Sequence, residues 1–180
     1  MRPTQAILRP FTRRVLPVAG IRYLSVNIKP PAIQNGSTLD LKDHVYFSKA
    51  TAGGAGRNGF VRSWGDSPLE LKMSMPRNAG GKGDGQNPEQ LFAMGYASCF
   101  LGALQLTAAR ANKKELAENA TVTAHVFLGH PKEPDLEGFA LRVELCVEGC
   151  PDDTIIAEAH EFCPYSRALR ESTEVTITKG

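Results

Sequence analysis

Cys99 and Cys163 stand 64 positions apart in unlike settings, and paired thiols are the side chains best suited to reversible two-electron redox chemistry. Cys99 lies in the uncharged run Gln90-Leu91-Phe92-Ala93-Met94-Gly95-Tyr96-Ala97-Ser98-Cys99-Phe100-Leu101, which marks it as buried. Cys163 precedes a proline in Ala159-His160-Glu161-Phe162-Cys163-Pro164-Tyr165-Ser166, which places it at a helix start. No local Cys-x-x-Cys motif is possible at this separation, so a redox pair has to be assembled by the fold.

Only the thiolate attacks a peroxide or disulfide readily, and a free cysteine with a pKa of about 8.5 is mostly thiol at neutral pH. Cys163 has an activator in view, because a helix start offers unsatisfied N–H groups and the positive end of the macrodipole. By that argument alone Cys163 is the better nucleophile. Cys99 lies about three turns inside its helix, beyond the reach of the dipole, and needs a cation from elsewhere. The stretch Gly53-Gly54-Ala55-Gly56-Arg57-Asn58-Gly59 offers Arg57, since glycines let a backbone come close to a site. Glu89 could hold that guanidinium through a bidentate pair. Taken singly, each residue also has a plainer role: a core cysteine, an arginine in a turn, a first-turn glutamate.

Two other groupings carry chemistry. His160 stands three positions before Cys163 and would suit a cysteine hydrolase or acyl transferase, although the helix break at Pro164 works against that pairing. Cys146 and Cys150 form a Cys-x-x-x-Cys without a second ligand pair at structural-zinc spacing, so no metal is expected.

The elements that must position these residues follow from local pattern. Short runs rich in β-branched and aromatic residues, at about 44–51, 60–64 and 69–75, read as strands divided by glycine-rich turns. Asn87-Pro88-Glu89-Gln90 reads as a capped helix start. The 20 uncharged residues from Gln90 to Ala109 could span a bilayer by length. The polar cap and interspersed Gln105 and Thr107 favour a central buried helix instead, with no membrane span. Gly95, Ser98, Cys99, Gly102 and Ala103 give it a face of small side chains that a second backbone could approach. Alternating strands follow, with Val122, Ala124, Val126 and Leu128, then Leu141, Val143, Leu145 and Val147, on the buried faces. Asp152 or Asp153 caps a helix through Phe162, a short helix reaches about Glu171, and 175–178 closes as a strand. The order βββ-α-ββ-αα-β is that of an α+β fold.

Charge divides the chain. Residues 1–39 hold six basic residues and no acid, whereas 40–180 hold 15 basic and 19 acidic. The acidic body lacks the basic stripe that nucleic acid requires. The Arg-rich N-terminus, with scattered apolar and hydroxyl residues, reads as a mitochondrial transit peptide over 1–24 and implies the matrix, with a cytoplasmic location as the alternative. Residues 25–42 read as a flexible leader and 43–180 as one domain. Matrix cysteines are ordinarily reduced thiols.

The blocks Asn87–Leu104 and Ala159–Ser166 closely resemble the organic hydroperoxide resistance (Ohr) proteins of the OsmC/Ohr family, over about residues 43–178. The resemblance implies an OsmC/Ohr-like fold, with sheets packed on long central helices in an intertwined homodimer. It implies a thiol peroxidase that reduces alkyl and fatty-acid hydroperoxides to alcohols, with Cys99 as the attacking cysteine and Cys163 as the resolving one. That reverses the ranking drawn from the helix start. Arg57 and Glu89 would keep the Cys99 thiolate reactive. Because Gly53-Gly54-Ala55-Gly56-Arg57 is two residues longer than the family's usual Gly-Gly-Arg, Arg62 is the alternative arginine. No cofactor is implied; the reductant would be dihydrolipoamide or a lipoylated protein. Phe92, Met94, Phe100 and Phe162 are the candidate substrate-binding residues. The rival readings are the Cys163–His160 hydrolase and a non-enzymatic dimeric binder of apolar ligands.

Overall fold

Asn87 starts the element on which the rest is built. Its side chain accepts from the Gln90 backbone N–H at 2.8 Å, and the Gln90 side chain accepts from the Asn87 N–H at 2.9 Å. This capping box, with Pro88 at the first helical position, begins helix α1, Pro88–Arg110. Glu89 in the first turn and Arg110 in the last complement the helix dipole. The chain turns away just beyond, where Asn112 takes a left-handed φ of 56°. Residues 41–170 and 174–179 are described by the computed structural model. The expected transit segment and all but the end of the leader lie outside the described residues.

Tyr96, Phe100, Ala103, Leu104, Thr107 and Ala108 form the buried stripe of α1. They recur at three- and four-residue intervals and so share one face. That face packs on β4, Thr121–Gly129, and on α2, Asp153–Phe162. Val143, Leu145 and Val147 of β5, Ala140–Glu148, are fully buried in the same core, with Ile155, Ile156 and Ala159 of α2 beside them. By length and composition α1 is apolar enough to cross a membrane. Here its apolarity serves the core on one side, while Met94 and Leu106 are 63% and 43% exposed on the other.

Two three-stranded sheets flank this core helix in sequence. The first is an antiparallel meander of β1, Lys49–Gly53, β2, Phe60–Trp64, and β3, Glu70–Lys72. In the second, β5 is central, antiparallel to β4 and parallel to β6, Glu174–Lys179. A parallel neighbour demands a crossover, which α2 and α3, Pro164–Leu169, supply. The element order is the βββ-α-ββ-αα-β expected for an α+β chain.

Two strand boundaries differ from the local pattern. The first strand runs over 49–53 and not 44–51, because its partner β2 is only five residues long and pairs from Lys49↔Trp64 to Gly53↔Phe60. Val45, Tyr46 and Phe47 therefore have no strand to join among the described residues, and all three are at least 80% exposed. The third strand stops at Lys72 because Met73 bridges to Gln86, and the Ser74 N–H donates to the Gln86 carbonyl at 2.8 Å.

Candidate active site

Pro164 decides how Cys163 is presented. The residue before a proline is driven out of the helical region, and Cys163 is extended at φ −63° and ψ 125°, at once the end of α2 and the cap of α3. Its backbone is held on both sides: its N–H donates to the Ala159 carbonyl at 2.8 Å, and its carbonyl accepts from the Arg167 N–H at 3.0 Å. The break brings the Cys163 sulfur to 3.5 Å from that of Cys99 on α1. Both are free thiols; Cys163 is fully buried and Cys99 half-buried.

Burial pushes the Cys99 thiol above its ordinary value. The Tyr165 backbone N–H pulls it down, and the neighbouring Cys163 pushes it up again. The helix-start amide that local sequence assigns to Cys163 thus acts on Cys99. The break at Pro164 leaves the Tyr165 amide, the first N–H of α3, to act on Cys99 of α1.

Arg57 lies in a single tight turn, Gly56–Asn58, between β1 and β2. Gly54 and Gly56 enter it with φ of 80° and 58°, and a Cβ on Gly59 would fall 2.0 Å from the Gly53 carbonyl oxygen. The turn is pinned from outside: the Asn58 side-chain oxygen accepts from the Met75 N–H at 3.0 Å, and the Gly59 carbonyl accepts from the Met73 N–H at 2.9 Å. From this base Arg57 Nη2 reaches both carboxylate oxygens of Glu89, at 2.6 and 2.5 Å. The Glu89 side chain is 17% exposed, so the pair is partly shielded from water at the start of α1. Arg62 goes elsewhere: its Nε donates to Glu70 at 2.6 Å on the neighbouring strand, and its guanidinium lies 5.8 Å from the Trp64 ring centre. Of the two candidate arginines, Arg57 is the one joined to Glu89. In this arrangement its charge is directed at that carboxylate.

Beside the thiols is an aromatic group. Phe92 stacks on Tyr165 with ring centres 6.1 Å apart and meets Tyr96 edge-on at 5.9 Å; Tyr96 and Tyr165 are 5.8 Å apart. Gly95 makes room for this, since a Cβ there would come within 3.4 Å of the Tyr165 ring. The other apolar candidates are placed differently. Phe100 is fully buried, with its ring 6.5 Å from that of His160. Phe162 lies under the Arg110 guanidinium at 4.4 Å. Met94 is exposed, about 140° around the helix from Cys99.

Sequence reasoning passed over Tyr96, Tyr165 and Ser166. Spacing held a signal for two of them: Tyr96 is three residues before Cys99 and Ser166 three after Cys163, so each shares a helix face with a sulfur. His160 makes no thiolate pair. Its Nδ1 is buried without a hydrogen-bond partner among the described residues, and burial lowers its pKa. Cys146 is half-buried on β5, Cys150 is buried just beyond it, and both are free.

The OsmC-like protein family model matches residues 81–178, which include Glu89 and both cysteines. The chain is 41% identical over 138 residues to the organic hydroperoxide resistance protein of Xanthomonas axonopodis pv. citri, covering 74% of this chain and 94% of the relative. A crystal structure of an organic hydroperoxide resistance protein from Legionella pneumophila superposes with a TM-score of 0.68 at 37% identity, covering 77% of this chain and 99% of that one. A putative organic hydroperoxide resistance protein from Vibrio cholerae, with captopril in one of its active sites, also gives 0.68 at 39% identity, covering 78% and 95%. The chain therefore belongs to the OsmC/Ohr family, among the organic hydroperoxide resistance proteins.

Proposed function

We propose that this protein is a thiol peroxidase that reduces organic hydroperoxides to alcohols. The observation that carries the reading is the 3.5 Å separation of the Cys99 and Cys163 sulfurs. Two thiols this close need to contract to about 2.05 Å to form a disulfide, a movement that side-chain torsions can supply. The Cys99 thiolate attacks the outer peroxide oxygen, the O–O bond breaks, and the alkoxide takes a proton to leave as the alcohol. Cys99 is then a sulfenic acid. The Cys163 sulfur attacks the Cys99 sulfur, hydroxide leaves and takes the Cys163 proton as water, and the disulfide forms.

A dithiol of the dihydrolipoyl type closes the cycle by exchange, becoming a cyclic disulfide as both cysteines return to thiols. Cys163 is fully buried, which favours a slender, flexible dithiol over a bulky reductant. In this reading Arg57, held by Glu89, turns its positive charge to the Cys99 thiolate during the reaction, since burial by itself opposes ionisation of that thiol. The stacked rings of Phe92 and Tyr165, which unlike Tyr96 are not fully buried, favour an apolar hydroperoxide over hydrogen peroxide, by up to about fourfold for each methylene they cover.

The same reading includes a homodimer. Its support is apolar surface that the single chain leaves open: Phe60, Trp64 and Leu69 around the first sheet, and Met94 and Leu106 on α1. The acid-free N-terminus supports delivery to the mitochondrial matrix. The hydrolase alternative finds no support, because the neighbour of the Cys163 sulfur is Cys99 and His160 Nδ1 has no partner among the described residues.

The test is turnover of cumene hydroperoxide with dihydrolipoamide by wild type, Cys99→Ser and Cys163→Ser. Loss of turnover in both variants, with a single turnover retained in Cys163→Ser, supports the reading. Full activity of Cys99→Ser overturns it.

A further inference from the structure

Tyr96 and Ser166 stand one helical turn from the two sulfurs and take no part in the chemistry above. Their oxygens are 2.9 Å apart, and both residues are fully buried. A buried hydroxyl needs a partner, and these two find each other across the seam between α1 and α3. The Tyr96 hydroxyl is close enough to the thiols to feel both. Burial raises its pKa, the Ser166 hydrogen bond opposes that, and charge on Cys163 or Cys99 raises it further. It therefore stays protonated and keeps its hydrogen-bonding capacity whatever the state of the cysteines.

Helix α3 has six residues, too few to be stable alone, so its position is set by what it docks against. Cys163 is its cap, and the Tyr165 N–H that acts on Cys99 belongs to its first turn. Cys163 is held on one side as the end of α2, so the docking of α3 is what fixes it on the other. Tyr165 packs over Gly95 and against Phe92 but is 39% exposed. The Tyr96–Ser166 bond is buried and directional. We propose that it is a clasp that sets the distance between the Cys99 and Cys163 sulfurs, and so decides whether an oxidised Cys99 is resolved as a disulfide or oxidised further. Tyr96 and Ser166 are positioning residues; neither reacts.

The consequence for oxidation rests on the peroxidase reading, while the consequence for thiol spacing does not. When resolution is slow, a second hydroperoxide meets the Cys99 sulfenic acid. It gives one oxygen to sulfur, leaves as a second alcohol, and converts Cys99 to the sulfinic acid, which a thiol does not reduce.

The experiment uses full-length Tyr96→Phe, Ser166→Ala and the double variant. Titration in a glutathione redox buffer measures the effective concentration of the Cys99–Cys163 disulfide without any peroxide. We expect it to fall about tenfold in each variant and no further in the double variant, since all three remove the same hydrogen bond. With cumene hydroperoxide, we expect the first turnover at Cys99 to keep its rate while peptide mass spectrometry shows sulfinic acid accumulating on Cys99. Val147→Ala, a cavity variant in the core strand β5, controls for general loosening and should lower the melting temperature without moving the thiol equilibrium. Wild-type disulfide stability in Tyr96→Phe and Ser166→Ala, or an equal loss in Val147→Ala, overturns the clasp. A wild-type protein inert toward hydroperoxide overturns the peroxidase reading, and the glutathione titration decides the clasp by itself.

Discussion

The sulfur of Cys99, in the middle of α1, lies 3.5 Å from the sulfur of Cys163, which caps a six-residue helix 64 positions later. Neither Cys146 nor Cys150 joins this pair, and both are free. One equivalent of an organic hydroperoxide should therefore give one disulfide, between Cys99 and Cys163. Differential alkylation and peptide mass mapping check this. A disulfide involving Cys146 or Cys150 would contradict it.

Arg57 and Arg62 are five residues apart and differ in what they hold. Arg57 joins the turn before β2 to the first turn of α1 through Glu89, whereas Arg62 forms an exposed cross-strand pair with Glu70. On the proposed role of Arg57 toward the Cys99 thiolate, Arg57→Ala should lower kcat/KM by about a hundredfold, the size expected for loss of a preorganised charge. Arg57→Lys should recover only part of this, because a point charge cannot reproduce the guanidinium fork. Arg62→Ala should change kcat/KM by less than about twofold, as expected for an exposed pair. Steady-state kinetics with an alkyl hydroperoxide separates the three.

Gly59→Ala tests the same loop without touching the arginine. The added Cβ would meet the Gly53 carbonyl oxygen, which is backbone and cannot swing aside. The turn must open, and Arg57 moves with it. We expect kcat/KM to fall toward the Arg57→Ala value while far-ultraviolet circular dichroism stays that of the wild type. Unchanged kinetics would show that the turn does not set the arginine.

Acid stability should depend on His160. Burial depresses its pKa below the ordinary 6.5, so the unfolded chain takes up a proton that the native protein refuses. The stability of the neutral, buried ring is present above pH 6.5 and is lost as pH falls through the depressed native value. Cys99 acts with the opposite sign at the alkaline end. Its raised pKa contributes stability below the ordinary thiol value that is lost as pH rises through the native value. Denaturant unfolding across pH should show a shallower acid limb in His160→Gln and a shallower alkaline limb in Cys99→Ser.

Removal of the capping box isolates the start of α1. Asn87→Ala deletes the acceptor for the Gln90 N–H at the end of the helix that carries Glu89. The expected cost is about 1 kcal/mol of unfolding free energy. Gln90→Ala, which removes the reciprocal bond, should cost less, and urea denaturation distinguishes the two.

What the sequence determined by itself was local or carried by motif. The capped start at Asn87, the break at Pro164 and the alternation of Val143, Leu145 and Val147 depend on neighbours within a turn or a strand, so they were legible without coordinates. The two cysteine blocks likewise named the family. Strand ends at 49 and 72 were not legible, because a strand extends only as far as its partner does. Tertiary structure alone decided the rest. That Arg57 and not Arg62 meets Glu89 depends on how the Gly56–Asn58 turn is pinned to Met73 and Met75, whereas the action of the Tyr165 amide on Cys99 and the Tyr96–Ser166 bond depend on where the crossover seats α3 against α1. That seating is set by core packing between residues about seventy positions apart, and local periodicity carries no distance across such a gap.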